Sequence, residues 1–228
     1  MSSAGRPSRV GLVLGGGAMG SAYHAGALVA LEHDAVAPRF HRAPTDPRTC
    51  SRGWPRPPVD PLLVRTVRAR DCHRTVFGPA GRSAPLSLAL AASCAVPGYF
   101  RPVRIEDTVY VDGGAISATN ADVLGRHGDD LDLVVVVSPL TGESRWGSRA
   151  SAMRRFYRRA LDHKIELLHR RGIPTIVIEP GQSVTQHMSL DFMSDDASAR
   201  IISQAFIDTG AQINANHLFD PLRRRSAA

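Results

Sequence analysis

The chain has 228 residues, with 28 Lys+Arg against 21 Asp+Glu and three cysteines. That length holds one large domain or two small ones and can bury a sizeable core. An apolar fraction of 43% and a charged fraction of 21% exclude a disordered or collagen-like chain. The odd set Cys50, Cys72 and Cys94 argues against a disulfide-stapled secreted scaffold and points to a reducing, cytoplasmic compartment.

In chain order, residues 1–9 are polar and read as a disordered start, ahead of one domain over 10–219. Val10 to Leu14 is a continuous apolar run, the signature of a strand buried on both faces of a parallel sheet. Gly15 to Gly20 is a turn, and Ser21 to Glu32 a helix of small and apolar residues that packs closely on a sheet. Six glycines between Val10 and Leu31 make this a buried strand–loop–helix rather than a membrane span or signal segment. Ala35 to Pro61 then carries seven prolines and five arginines, which excludes a helix or a central strand and leaves a junction loop.

Leu62–Val67 and Arg74–Phe77 read as paired strands, Pro85–Ala92 as a helix, and Val103–Ile105 with Val109–Val111 as a hairpin. Leu131–Val137 is a second fully buried strand. Arg149–Arg171 is the clearest helix, because Met153, Phe156, Tyr157, Ala160, Leu161, Ile165 and Leu168 recur at three- and four-residue spacing. Gly172 and Pro174 stop it, Thr175–Ile178 is a short strand, and Asp196–Asn216 is a closing helix. Buried strands alternating with helices indicate an α/β fold: a layered, mostly parallel sheet flanked by helices. Residues 220–228 read as a disordered basic tail.

The net charge of +7 is almost entirely arginine, since Lys164 is the one lysine. Arg149–Arg171 alone holds eight basic and two acidic residues. The plain reading is a solvated helix face. The sharper one is a peripheral contact with anionic membrane through Arg154, Arg155, Arg158 and Arg159. Nucleic acid is not indicated, because no groove-reading motif or interleaved aromatic set accompanies the arginines.

The turn Gly15-Gly16-Gly17-Ala18-Met19-Gly20 has G-x-G-x-x-G spacing between a strand and a helix. Backbone amides at a helix N-terminus bind negative charge. A dinucleotide-binding oxidoreductase would seat a pyrophosphate there, but it needs a second strand about 20 residues on, ending in an acidic residue. Glu32 and Asp34 are followed instead by the proline-rich stretch. A hydrolase would use the same amides as an oxyanion hole. Downstream, Asp112-Gly113-Gly114 places a carboxylate at a strand end before a glycine turn, where it can act as a base.

Three segments together resemble the patatin-like phospholipase family: GLVLGGGAMGSAYHAGALVALE at Gly11–Glu32, AASCAVPGYFRPV at Ala91–Val103, and YVDGG at Tyr110–Gly114. Asn120-Ala121 and the strand LDLVVVVSPL also fit. The resemblance implies a lipid acyl hydrolase of α/β fold that works through a Ser–Asp dyad, without cofactor or metal. Carried over by residue, Gly15, Gly16, Gly17 and Gly20 form the oxyanion loop and Asp112 of the Asp112-Gly113-Gly114 motif is the base of the dyad.

The same family carries its nucleophile on a G-x-S-x-G elbow, a sharp strand-to-helix turn between the first helix and the Ala-Ser-x-x-x-Pro segment. No serine of this chain has that context. Ser83, Ser144 and Ser183 have the glycine two before and lack the one two after. Ser21 and Ser93 have neither. The stretch from Ala35 onward stands where the strand, elbow and helix belong, so this central unit reads as deleted. Two expectations follow. Asp112 has no hydroxyl to activate, so the chain is catalytically impaired; and apolar edges left by the missing strand lower solubility or order. A non-catalytic lipid-binding protein is the alternative from another class.

Overall fold

A computed structural model of the chain describes residues 9–17, 20–34, 62–78, 81–124, 131–142, 148–188 and 195–219. The junction loop 35–61, the tail 220–228, Ser144, and all but Arg9 of the N-terminal segment lie outside the described residues. The chain divides into two units: Met1–Arg39 with Ala121–Ala228, and Phe40–Asn120.

The first unit is built on three parallel strands. β1 (Val10–Leu14) pairs with β6 (Leu133–Val137), and β6 pairs with β7 (Thr175–Ile178), in the order β1-β6-β7. β6 is central and is buried at every position, as its uninterrupted run of valines requires. Alternation along it feeds two cores. Leu133, Val135 and Val137 pack with Tyr23, Ala27 and Leu31 of α1 (Gly20–His33) and with residues of the closing helix. Val134 and Val136 pack with Leu161 and Leu168 of α3 (Ser148–His169). The closing helix, α5 (Asp195–Ala215), lies against α1 so closely that Gly26 sits under the Ile202 carbonyl. A short helix, α4 (Gln182–Thr185), follows β7, and its Gly181 amide donates to Asp208 Oδ2 of α5 at 2.7 Å.

The second unit is antiparallel. β2 (Val64–Arg68) and β3 (Arg74–Phe77) form one hairpin, and β4 (Val103–Ile105) and β5 (Thr108–Asp112) another. The β2–β5 pairing merges them into one sheet, ordered β3-β2-β5-β4. Helix α2 (Leu86–Ser93) packs Ala89 and Ala92 with Phe77, Ile105 and Tyr110. Phe77 and Tyr110 meet edge to face with centroids 5.2 Å apart.

The element types read from the sequence are all present, with ends moved by one or two residues. The α/β class holds. What the sequence left open is that the two hairpins share a sheet, separate from the parallel one.

Candidate functional site

The glycine turn begins as β1 ends. The Gly15 amide still donates to the Val137 carbonyl at 2.8 Å, and the Gly20 amide to the Gly17 carbonyl at 2.9 Å as α1 starts. Gly17 has φ +147°, a value that side chains disfavour. A Cβ there would also lie 3.2 Å from Leu140, and one on Gly20 would lie 3.1 Å from Pro139. These glycines thus answer to packing as well as to any ligand, because the Pro139–Leu140 segment after β6 rests against the turn. Their position at the amino end of α1 is one where free amides and the helix dipole favour negative charge.

One turn into α1 stands a group that the sequence reading passed over. His24 is largely buried, and burial lowers its imidazole to about 4, although contact with the Val137 carbonyl works the other way. Its Nε2 is buried without a hydrogen-bond partner. The signal was available: a histidine four residues after Gly20, on the face where Ala27 and Leu31 are buried.

Asp112 lies at the end of β5 in the second unit. Its amide donates to the Ala95 carbonyl at 3.0 Å. Its carboxylate caps the short 3-10 turn Gly113–Ala115, accepting from the Gly114 amide at 2.8 Å. Partial burial pushes its carboxyl up, and the Gly114 amide offsets part of that rise. Gly113 leaves room for the Arg65 carbonyl, which a Cβ would approach to 2.7 Å. A half-buried carboxylate of raised proton affinity at a strand end is suited to accept a proton. Cys94, at the end of α2, is beside it. The residue remains exposed, yet its thiol is pushed up, first by partial desolvation and then by the Asp112 charge, so it is held as the neutral thiol.

Of the other serines weighed, Ser21 is exposed on the first turn of α1 and Ser93 is half-buried as the last residue of α2. Ser183 lies on α4 just after β7, a strand-to-helix setting, but downstream of Asp112. An elbow serine sits in strained backbone. Among the described residues the non-glycine positions of positive φ are Cys72, Glu106 and Asn120.

The basic helix resolves into two kinds of arginine. Arg154 is half-buried and donates to the Pro139 carbonyl at 3.1 Å and to the Thr141 carbonyl. Arg158 is bridged to Asp162 at 2.8 Å and to Glu179. Arg155 and Arg159 are exposed and have no acidic partner among the described residues. Among the described residues, no group of three or more His, Cys, Asp or Glu is placed to hold a metal. No described helix is long and apolar enough to cross a membrane.

No curated protein matches the chain. The sequence profile of the Patatin-like phospholipase family matches residues 39–124. That span is nearly coextensive with the second unit and contains Ala91–Val103 and Asp112–Gly114. It also begins inside the junction loop, and it leaves out the glycine turn and β6. It is through residues 39–124, well under half of its length, that this chain is similar to the Patatin-like phospholipase family.

Proposed function

We propose that this chain is a lipid acyl hydrolase by descent that retains the base and lacks the nucleophile. Asp112 is the base of the dyad, and Gly15, Gly16, Gly17 and Gly20 make up the oxyanion loop, in which the Gly15 and Gly20 amides are engaged by the Val137 and Gly17 carbonyls and the donors are those of the residues between them. The observation that carries the reading is the state of Asp112: half-buried, oriented by the Gly114 amide, with raised proton affinity, inside the segment that matches the family. A base of this kind is useful only to a hydroxyl placed beside it, and the sequence holds no G-x-S-x-G. Loss of the nucleophile in triad enzymes leaves a residual ~10³–10⁴-fold over water, and a similar remnant is expected here.

The test is labelling of the full chain with a fluorophosphonate probe, alongside hydrolysis of a p-nitrophenyl acyl ester. No covalent adduct and only trace hydrolysis, unchanged in Asp112→Asn, are expected. An adduct on any serine, mapped by mass spectrometry, sinks the claim that the nucleophile is absent.

A second reading is a non-catalytic lipid-binding protein, in which the basic helix meets anionic membrane. Arg155 and Arg159 support it. Arg154 and Arg158 serve it less, since their guanidinium groups are engaged within the fold.

A further inference from the structure

Helix α3 is apolar on two faces, and a surface helix needs only one. Leu161, Ile165 and Leu168 form the inner face and pack with Val134 and Val136 of β6. That accounts for the core. On another side of the helix, Met153, Phe156 and Ala160 follow one another at helical spacing, Leu167 joins them beyond the polar turn of His163 and Lys164, and all four are exposed. Phe156 is 66% exposed, Met153 55% and Leu167 40%, so each leaves a large part of its surface in solvent. Isolated exposed apolar residues need no explanation, but several large ones on one side of a helix do.

Charge beside the stripe is mixed but not balanced. On a helix with 100° per residue, Arg155, Arg159 and Arg170 fall along one flank of Phe156 together with Asp162 and Glu166. The acidic residues nearby are already engaged: Asp162 by Arg158 at 2.8 Å, and Glu166 by Arg170 at 3.1 Å. Arg155 and Arg159 are left with no acidic partner among the described residues. A second copy of this chain would bring the same positive flank against itself, and an apolar protein groove would leave both arginines without counter-charge. An anionic bilayer offers acyl chains for the stripe and phosphate for the flank at the same depth.

We propose that α3 is an interfacial helix that lies flat on anionic lipid, with Phe156, Met153 and Leu167 at the head-group–acyl boundary and Arg155 and Arg159 on lipid phosphates. It deepens the lipid-directed reading above and rests on it only for the choice of partner class. It differs in the residues: Arg154 is taken up by backbone carbonyls and Arg158 by Asp162 and Glu179, and the aromatic and thioether side chains do the inserting.

The experiment is co-sedimentation of the full chain with vesicles of phosphatidylcholine alone or with 30% phosphatidylglycerol (roughly one anionic lipid in three, enough for a surface potential). Binding to the anionic vesicles, weakened by salt, is expected. Arg155→Gln and Arg159→Gln should each weaken it roughly fivefold, and Phe156→Ser should weaken it without altering salt dependence. Arg82→Gln, an exposed cation of the second unit, is the unchanged control. In Phe156→Trp the added indole fluorescence should be quenched by brominated acyl chains. No binding at low salt, or binding indifferent to Arg155, Arg159 and Phe156, overturns the proposal. So does a concentration-dependent dimer abolished by Phe156→Ser, which would assign the stripe to a second copy. Released fatty acid is measured in the same samples. Binding without release leaves this inference standing, and release without binding would overturn it while also contradicting the loss of the nucleophile.

Discussion

The Gly114 amide donates to Asp112 Oδ1 at 2.8 Å, so the carboxylate that ends β5 also starts the turn that follows it. One side chain thus has a structural task and a candidate chemical one, and two substitutions separate them. Asp112→Asn keeps an oxygen for the amide and removes the charge. The folded state raises this carboxyl, so it holds the proton more tightly than the unfolded chain and loses stability as pH rises past the unfolded value. Asp112→Asn should therefore be as stable as the parent at pH 7 or more so. Asp112→Ala loses the cap and should fall by about 1 kcal/mol. Urea midpoints at pH 7 decide it, and an Asn variant less stable than the Ala variant would contradict the assignment.

His24 makes the fold acid-sensitive. Its folded value is about 4 and its ordinary value 6.5. Between those values the unfolded chain binds a proton that the folded one refuses. Stability is full above pH 6.5 and declines as pH falls toward 4, by at most about 3 kcal/mol from this group. His24→Gln should flatten that part of the curve. The measurement is the unfolding midpoint at pH 7.0 and 4.5 in parent and variant; equal declines in both would remove His24 as the cause.

Helix α1 meets α5 through a glycine. A Cβ on Gly26 would stand 2.2 Å from the Ile202 carbonyl oxygen and 2.8 Å from Ala205 Cβ. Neither obstacle is a flexible side chain, so the helices must part. Gly26→Ala should cost about 2 kcal/mol, the crowding outweighing the better helix propensity of alanine. Gly210, also on α5, has nothing within 4 Å of such a Cβ. Gly210→Ala should stabilise by up to about 1 kcal/mol. Thermal unfolding of the two variants should move in opposite directions.

The sequence by itself determined the elements and the turn that Asp112 opens. β6 was legible because a run of four valines can be buried on both faces only in a central strand, and α3 because its apolar residues recur at helical spacing, although Met153, Phe156 and Ala160 of that set are exposed and only Leu161, Ile165 and Leu168 join the core. Asp112 was legible because a carboxylate followed by two glycines must end a strand and open a turn. Those are local properties, set by neighbours a few residues apart. Three things depended on distant partners and were decided only by the tertiary structure. Thr66, Val67 and Arg68 of β2 pair with Asp112, Val111 and Tyr110 of β5, and this joins two hairpins that sequence shows as separate. His24 is neutral because burial takes it out of water, against the opposing pull of the Val137 carbonyl, which no spacing rule reveals. Adjacent arginines of α3 part company for the same reason. Arg154 finds carbonyls 13 and 15 residues back, Arg158 finds a carboxylate 21 residues on, and Arg155 and Arg159, one position round the helix from each, are turned to solvent.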